Sequence, residues 1–396
     1  MSYSRVRVGD ICAVNKSSYS QKEKWKYVNY LDTGNITNNR IDEIQYIDLI
    51  TEKLPSRAKR KVNHNSIIIS TVRPNQLHYG IIKSQPENFL VSTGFAVIDV
   101  MDDTLDADYL YYVLTQKEIV AHLHAIAEQS TSAYPAIKPS DIQDLEILIP
   151  DLKTQKKIAS LLISIDYRIS INTKINEKLE QQAQALFVEL FSEHIDCIDK
   201  SIRLGELVTT IDNRGKTPPL EPQQTRYPII DVKALSGCSR IINYNNCTKY
   251  VSEETYNNWF RSGHPQQFDI LLSTVGSLAE MKLFLGDIGC IAQNVVGFRC
   301  KEISPLYLYQ YLSYIKNDLV AYNIGSVQPS IKVTHIIKHL IYVPEQEELE
   351  LFDRILKPIT LKIYNNCLEN ERLAALRDTL LPKLMSGEID VSQVKI

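Results

Sequence analysis

Asp269, Glu280 and Lys282 stand at the spacing of a metal-dependent nuclease core. In such a core two carboxylates hold a divalent cation and a lysine supports the attacking water. The pattern is loose. The corresponding part of the first half of the chain carries Ser66 and His78-Tyr79-Gly80 instead. The three are therefore read as ordinary strand and loop residues, and no catalytic residue is assigned. The sequence holds no phosphate-binding glycine loop, no dinucleotide fingerprint and no nucleophile elbow. The nearest approach to an Asn-Pro-Pro-aromatic run is Thr217-Pro218-Pro219-Leu220, which lacks both ends. Seven cysteines, at 12, 197, 238, 247, 290, 300 and 367, form no CxxC pair, and no histidine cluster joins them. No metal site is expected.

The remaining chemistry is cationic. Lys53, Arg57, Lys59, Arg60 and Lys61 place five cations in nine positions, beside Pro55 and Asn63-His64-Asn65. Such a segment can neutralise several phosphates. Lys22, Lys24 and Lys26 surround Trp25 in a second patch. Arg73 follows the end of a Ser70-Thr71 strand and is placed to read a base edge, since arginine is the usual guanine reader. In the second half, Asn213, Arg214 and Lys216 share a loop with Thr217-Pro218-Pro219. Tyr134, Lys138, Gln328 and Lys332 occupy matched loops just before two long helices. Each of these groups also has a plain structural reading, as a solvated loop or a turn.

The net charge of −3 over 396 residues argues weakly against nucleic acid, but binding depends on local patches rather than the sum. The 22 tyrosines suit both phosphate contact and stacking. No apolar run approaches the ~18 residues of a membrane span. Met1-Ser2-Tyr3-Ser4-Arg5 lacks the apolar core of a signal peptide. A cytosolic protein of two or more domains is expected.

The elements that must position these residues centre on one stretch. From Ile158 to Leu190 the residues Ile158, Leu162, Ile165, Ile169, Asn172, Asn176, Leu179, Ala183, Leu186 and Leu190 follow alternating steps of four and three. That is the seam of a helix facing a partner helix. Adding 194 to each number gives Phe352, Leu356, Ile359, Ile363, Asn366, Asn370, Leu373, Arg377, Leu380 and Leu384. The seam is repeated, with both asparagines in the same slots. Antiparallel pairing about the centre makes partner numbers sum to 542, so Asn172 meets Asn370, Asn176 meets Asn366 and Ile158 meets Leu384. A buried asparagine fixes register, because a slipped pairing strands its amide in hydrocarbon. Arg377, replacing Ala183, is expected opposite Ile165, its stem packed and its head in water.

The repeat extends beyond the helices. Val6-Arg7-Val8-Gly9 matches Ile202-Arg203-Leu204-Gly205, and Ser70-Thr71-Val72 matches Ser273-Thr274-Val275. Tyr109-Leu110-Tyr111 matches Tyr307-Leu308-Tyr309, and Pro135-Ala136-Ile137-Lys138 matches Pro329-Ser330-Ile331-Lys332. Strands are predicted over Ser66 to Val72 and Phe95 to Val100, and helices over Tyr109 to Ala127 and Pro305 to Ala321. Asp151 and Glu345 sit where an acidic group suits a helix N-terminus, and Gly387 where a glycine ends a helix. The expected fold is α+β: two tandem mixed α/β domains separated by two long helices that form an antiparallel intramolecular coiled coil, with pseudo-twofold symmetry. The boundaries read as 1–150, 151–193, 194–344 and 345–396.

A duplicated variable domain, each copy followed by a long heptad helix, resembles the specificity subunit of Type I restriction–modification systems. The carrying segments are Phe268-Asp269-Ile270-Leu271-Leu272-Ser273-Thr274, Ile137-Lys138-Pro139-Ser140-Asp141-Ile142 and Ile331-Lys332 with the strands that follow, and Leu380-Leu381-Pro382-Lys383-Leu384-Met385-Ser386-Gly387-Glu388. The resemblance covers nearly the whole chain. It implies two target-recognition domains, each reading one half of a split, asymmetric site in double-stranded DNA. It implies that the helices carry the binding surface for two methyltransferase subunits, and that a motor/nuclease subunit joins for cleavage. S-adenosylmethionine, Mg and ATP are then expected on those partners and no cofactor on this chain, which is not itself an enzyme. A helix of 33 residues spans ~50 Å, against ~34–36 Å for one turn of duplex, so its length would act as a ruler for the gap. Competing readings are a specificity module whose methylase and nuclease share another polypeptide, a stand-alone nuclease using Asp269, Glu280 and Lys282, and a coiled-coil scaffold without DNA contact.

Overall fold

The computed structural model describes residues 3–130, 135–195 and 197–391. The chain divides into two compact units, one comprising residues up to Tyr167 together with Leu373 onward, the other Arg168–Arg372.

In the first unit the β-branched run at Ile67–Ser70 forms the inner part of a four-stranded antiparallel sheet. Its order is Cys12–Val14, Phe95–Val100, Ile67–Ser70, Tyr79–Ile81. Side chains alternate across a strand. Ile67, Ile69, Ala96 and Ile98 accordingly pack against the tyrosine-rich helix Ala107–Leu114, while Ile68, Phe95 and Val97 face Leu31, Phe89 and Val91 of a second sheet. That second sheet runs Gln45–Asp48, Tyr27–Leu31, Phe89–Ser92, Ala58–Arg60, with Tyr27–Leu31 and Phe89–Ser92 parallel.

The second unit repeats this plan. Its main sheet runs Val208–Ile211, Val295–Cys300, Ile270–Ser273, Met281–Leu283. Its smaller sheet is Tyr250–Val251, Tyr227–Ile230, Cys290–Ile291, the last two parallel. Among the described residues this smaller sheet has three strands, and nothing stands where Ala58–Arg60 stands in the first unit.

Each unit is closed by pairing its first strand with the strand that leads into a long helix. Ser4–Arg7 pairs with Glu146–Ile149, and Ser201–Arg203 with Leu340–Tyr342. The repeated glycine just after the first strand allows the close approach this needs. A Cβ on Gly9 would lie 3.0 Å from Gln143 Cβ, and one on Gly205 3.2 Å from Ile337 Cβ.

The helix predicted over Tyr109 to Ala127 is two helices, Ala107–Leu114 and Lys117–Glu128. At the break Thr115 caps the first helix, its backbone N–H and its hydroxyl both donating to the Tyr111 carbonyl, at 3.1 and 2.8 Å. The segment predicted over Pro305 to Ala321 breaks likewise, into Pro305–Tyr314 and Lys316–Ala321.

The two long helices are Leu152–Phe191 and Gln346–Met385, each of 40 residues. Asp151 caps the first, its carboxylate accepting from Thr154 N–H at 3.0 Å and Thr154 Oγ1 at 2.7 Å. Those two bonds from Thr154 hold the Asp151 carboxyl below its usual range. Gly387, at φ +77°, ends the second. Within the first unit, Ile158 and Leu162 are buried with Leu384 and Met385. Within the second unit, Phe187 and Phe191 pack tilted or edge-on against Phe352 and Tyr307 at centroid distances of 5.1 to 6.3 Å. Also in the second unit, Asn172 Nδ2 donates to Asn370 Oδ1 at 3.0 Å, and Asn366 Nδ2 to Asn176 Oδ1 at 2.7 Å. Arg377 departs from expectation. Its guanidinium does not extend to water but pairs with Asp166, at 2.8 Å, and with Asp378. Burial alone would lower its pKa; Asp166 and Asp378 outweigh that and raise it.

Candidate nucleic-acid interface

The repeated Ser-Thr at the end of the inner strand acts as a staple. In the first unit, Thr71 N–H and Oγ1 both donate to the Gly94 carbonyl, at 2.8 and 2.9 Å. Ile137 N–H donates to Thr71 O at 2.8 Å, and Arg73 N–H to Pro135 O at 2.9 Å. Three loops are thereby joined, and Arg73 and Lys138 sit on neighbouring ones. The second unit builds the same staple: Thr274 N–H and Oγ1 donate to Asn294 O at 2.8 and 3.2 Å, and Ile331 N–H to Thr274 O at 2.8 Å. There Gly276 N–H meets Pro329 O at 2.9 Å, so Gly276 occupies the place of Arg73. Both have positive φ, +48° for Arg73 and +87° for Gly276. A non-glycine residue in this region costs roughly 1–2 kcal/mol, so the arginine is held there by its surroundings. The repeated residues thus build the scaffold, and what differs between the copies is the residue the scaffold presents.

The basic run lies on the Ala58–Arg60 edge strand and its flanks. Lys53, Arg57 and Lys59 are exposed. Arg60 is half-buried, its Nε has no protein partner, and burial lowers its pKa. Lys61 pairs with Glu23 and lies 5.2 Å over the Trp25 ring, which in turn packs on Tyr19 at 4.6 Å. Tyr19 N–H donates to Lys59 O at 2.7 Å. The structure therefore joins the two basic patches: the half-buried Trp25 and Lys61 are the contact between them, and Lys24 and Lys26 stay exposed beside it. In the second unit the Asn213 amide is used within the fold, donating to Gly263 O at 3.0 Å and accepting from Ser262 N–H at 2.9 Å. Arg214 folds back on Asp212. Lys216, Gln328 and Lys332 are exposed. Tyr134 lies outside the described residues.

The nuclease-like triplet is dispersed into separate partnerships. Asp269 is buried against Arg299 at 2.7 Å, Glu280 pairs with Lys316 at 2.9 Å, and Lys282 donates to the carbonyls of Gly237 and Ser239. Burial pushes the Lys282 ammonium down to about 8. Three side chains turned to three different partners cannot hold one cation between them. Among the described residues no group of three or more His, Cys, Asp or Glu is arranged to hold a metal.

Sequence reasoning missed two further clusters, Arg240 with Glu180 and Thr360, and Tyr112 with Asp166 and Arg377. Arg377 as the residue out of character in the repeated seam was the one signal for either.

Comparison with known proteins places the whole chain. The family described as "Type I restriction modification DNA specificity domain" matches residues 2–181 and 200–373. The chain is 26% identical to the Type I restriction enzyme HindI specificity subunit of Haemophilus influenzae, over 91% of this chain and 94% of that protein. It is 25% identical to the MjaIX specificity subunit of Methanocaldococcus jannaschii, over 98% and 93%. Among solved structures, the S subunit of a Type I restriction–modification system from M. genitalium superposes with a TM-score of 0.54 at 17% identity, covering 97% of this chain and 96% of that one.

Proposed function

Because this chain belongs to the family of Type I restriction–modification DNA specificity domains, we propose that it reads a two-part, asymmetric DNA site and positions partner methyltransferase subunits on it. Confining DNA sequence specificity in such a complex to this chain leaves the chemistry to others. S-adenosylmethionine, Mg and ATP belong on the methyltransferase and motor/nuclease partners, and adenine is the base modified. Two methyltransferase subunits fit a chain with two copies of one plan.

The observation that carries this reading is the pair of staples. One scaffold is built twice, yet it presents Arg73 beside Lys138 in the first unit and Gly276 beside Gln328 and Lys332 in the second. Two readers on one scaffold with unlike exposed residues select unlike half-sites. The basic edge strand with Lys53, Arg57 and Lys59, and the exposed Lys24 and Lys26, supply phosphate contacts to the first reader only; Lys216 serves the second. Phosphate contacts position the protein, and base contacts specify. Lys61, Asn213 and Arg214 support the loops on which these contacts sit, and Arg60 is counted among the phosphate contacts. The long helices set the gap between half-sites by their length. No helix among the described residues is long and apolar enough to cross a membrane, and a protein that acts on chromosomal DNA belongs in the cytoplasm.

The test is an Arg73→Ala variant, assembled with its methyltransferase partner. Base preference should relax at one position in one half of the modified motif, with the other half unchanged. Relaxation in both halves, or in neither, would contradict the assignment.

A further inference from the structure

Each unit holds a guanidinium between its globular part and the long helices, fully buried in the second unit and half-buried in the first, and the two arginines have unrelated origins. In the second unit it is Arg240, which is fully buried. Its backbone N–H, Nε and Nη2 donate to the Glu180 carboxylate of the central helix at 2.7, 3.0 and 2.7 Å. Its Nη1 donates to Thr360 Oγ1 of the C-terminal helix at 2.7 Å, and its plane lies 5.4 Å over the Tyr309 ring. The surrounding segment is pinned further. Lys282 donates to the Gly237 and Ser239 carbonyls, and Leu283 N–H to Arg240 O at 2.7 Å. In the first unit the guanidinium is Arg377, supplied by the C-terminal helix itself. It donates to Asp166 of the central helix at 2.8 Å, and the Tyr112 hydroxyl donates to the other Asp166 oxygen at 2.6 Å. Asp378 takes both Arg377, at 2.9 Å, and Lys117, at 3.0 Å.

The repeat superposes seam on seam but not clamp on clamp. Shifting by 194 turns Asp166 into Thr360, Glu180 into Ala374, and Arg377 back into Ala183. Tyr112 corresponds to Gln310, which is buried with its Nε2 unpartnered. Removing Glu180 would strand the fully buried Arg240 charge, which is far more costly than never having built the pair. A globular part that brought no arginine would leave Glu180 unpaired; one that brought no tyrosine or lysine would leave Asp166 and Asp378 short of a donor.

We propose that these two clamps position each recognition domain on its helix pair, that they thereby hold the gap between half-sites to one length, and that each clamp accepts only the domain that completes it. Arg240, Glu180, Thr360, Asp166 and Arg377 are positioning residues, and none is among those assigned to DNA contact above. The inference rests on the two-part reading above.

The test maps modified adenines at base resolution in cells carrying the full chain with its partner subunits. It compares wild type with Arg240→Met and with Thr360→Val. The second keeps side-chain shape and the Glu180 pairing, so it reports even where the first fails to fold. Both half-site sequences should persist, while the share of modified sites whose gap differs by one base pair rises about tenfold, as loss of one charge-assisted hydrogen bond gives. Merely weakened folding would lower modification at every site without broadening the gap. A single unbroadened gap in Thr360→Val, or uniform loss without broadening, overturns the clamp. A wild-type map with no two-part motif overturns the two-part reading itself.

Discussion

Replacing Asn366 by leucine separates a register device from an incidental hydrogen bond. Asn366 and Asn176 are both nearly inaccessible, at 1% and 6% exposed, and they bond to each other at 2.7 Å. Asn176 otherwise has only long contacts, 3.5 Å from Nδ2 to Ile363 O and to Cys367 Sγ. Asn366→Leu therefore leaves the Asn176 amide buried without its acceptor's partner. An unsatisfied buried polar group costs about 1–3 kcal/mol. Asn176→Leu strands Asn366 in the same way, and its Oδ1 is already without a partner. Changing both removes the two amides together and buries apolar surface, which is nearly neutral or stabilising. The double-mutant cycle should thus show a coupling of at least ~1 kcal/mol, read by urea unfolding of the full chain followed by helix signal. The double variant should keep its helical content. It should also lose pairing specificity, read as modified sites with altered gaps. Additive single effects with an unchanged gap would refute the role given to the asparagines.

Further predictions follow from the same geometry. Arg57→Ala with Lys59→Ala should weaken binding of the assembled complex to any duplex and reduce the slope of log affinity against log salt by about 2, whereas Lys61→Ala, whose ammonium is spent on Glu23 and Trp25, should leave that slope unchanged. Inserting one heptad into each long helix at matched positions adds ~10.5 Å. The gap in the modified motif should then lengthen by about three base pairs at 3.4 Å each, and an unchanged gap would defeat the ruler. The His264 ring stacks on Tyr256 at 3.7 Å, and burial lowers its pKa despite a hydrogen bond to the Tyr256 carbonyl. Its folded pKa lies below the unfolded value of ~6.5, so the unfolded chain takes up the proton first. Stability is then intact above that value and falls as pH drops through it toward the folded pKa; His339, lowered by burial as well, acts in the same direction. The urea midpoint should fall between pH 7.5 and 5.5, and less so in His264→Phe.

What was legible in the sequence is what repeats. The seam from Ile158 to Leu190 and its copy 194 residues on carried the helices and their antiparallel partnership, because a heptad pattern is read along one chain without tertiary knowledge. The Ile67–Ser70 and Phe95–Val100 strands were visible for the same reason, being dense in β-branched residues. The break after Leu114 was hidden, because Leu123 and Ala127 carry the apolar helical spacing on beyond it. The clamps were hidden more deeply. Glu180 and Arg240 are 60 residues apart, Asp166 and Arg377 211 apart, and neither pair repeats. The basic run was legible as charge but not as geometry: nothing in the spacing says that Lys61 turns inward onto Trp25 while Lys59, two residues away, turns out.

Base-resolution mapping of modified adenines in cells with and without this chain tests the central claim most directly. A two-part, asymmetric motif with one fixed gap should be modified only when the chain is present. Modification that persists in its absence, or a motif that is continuous or symmetric, would contradict the account.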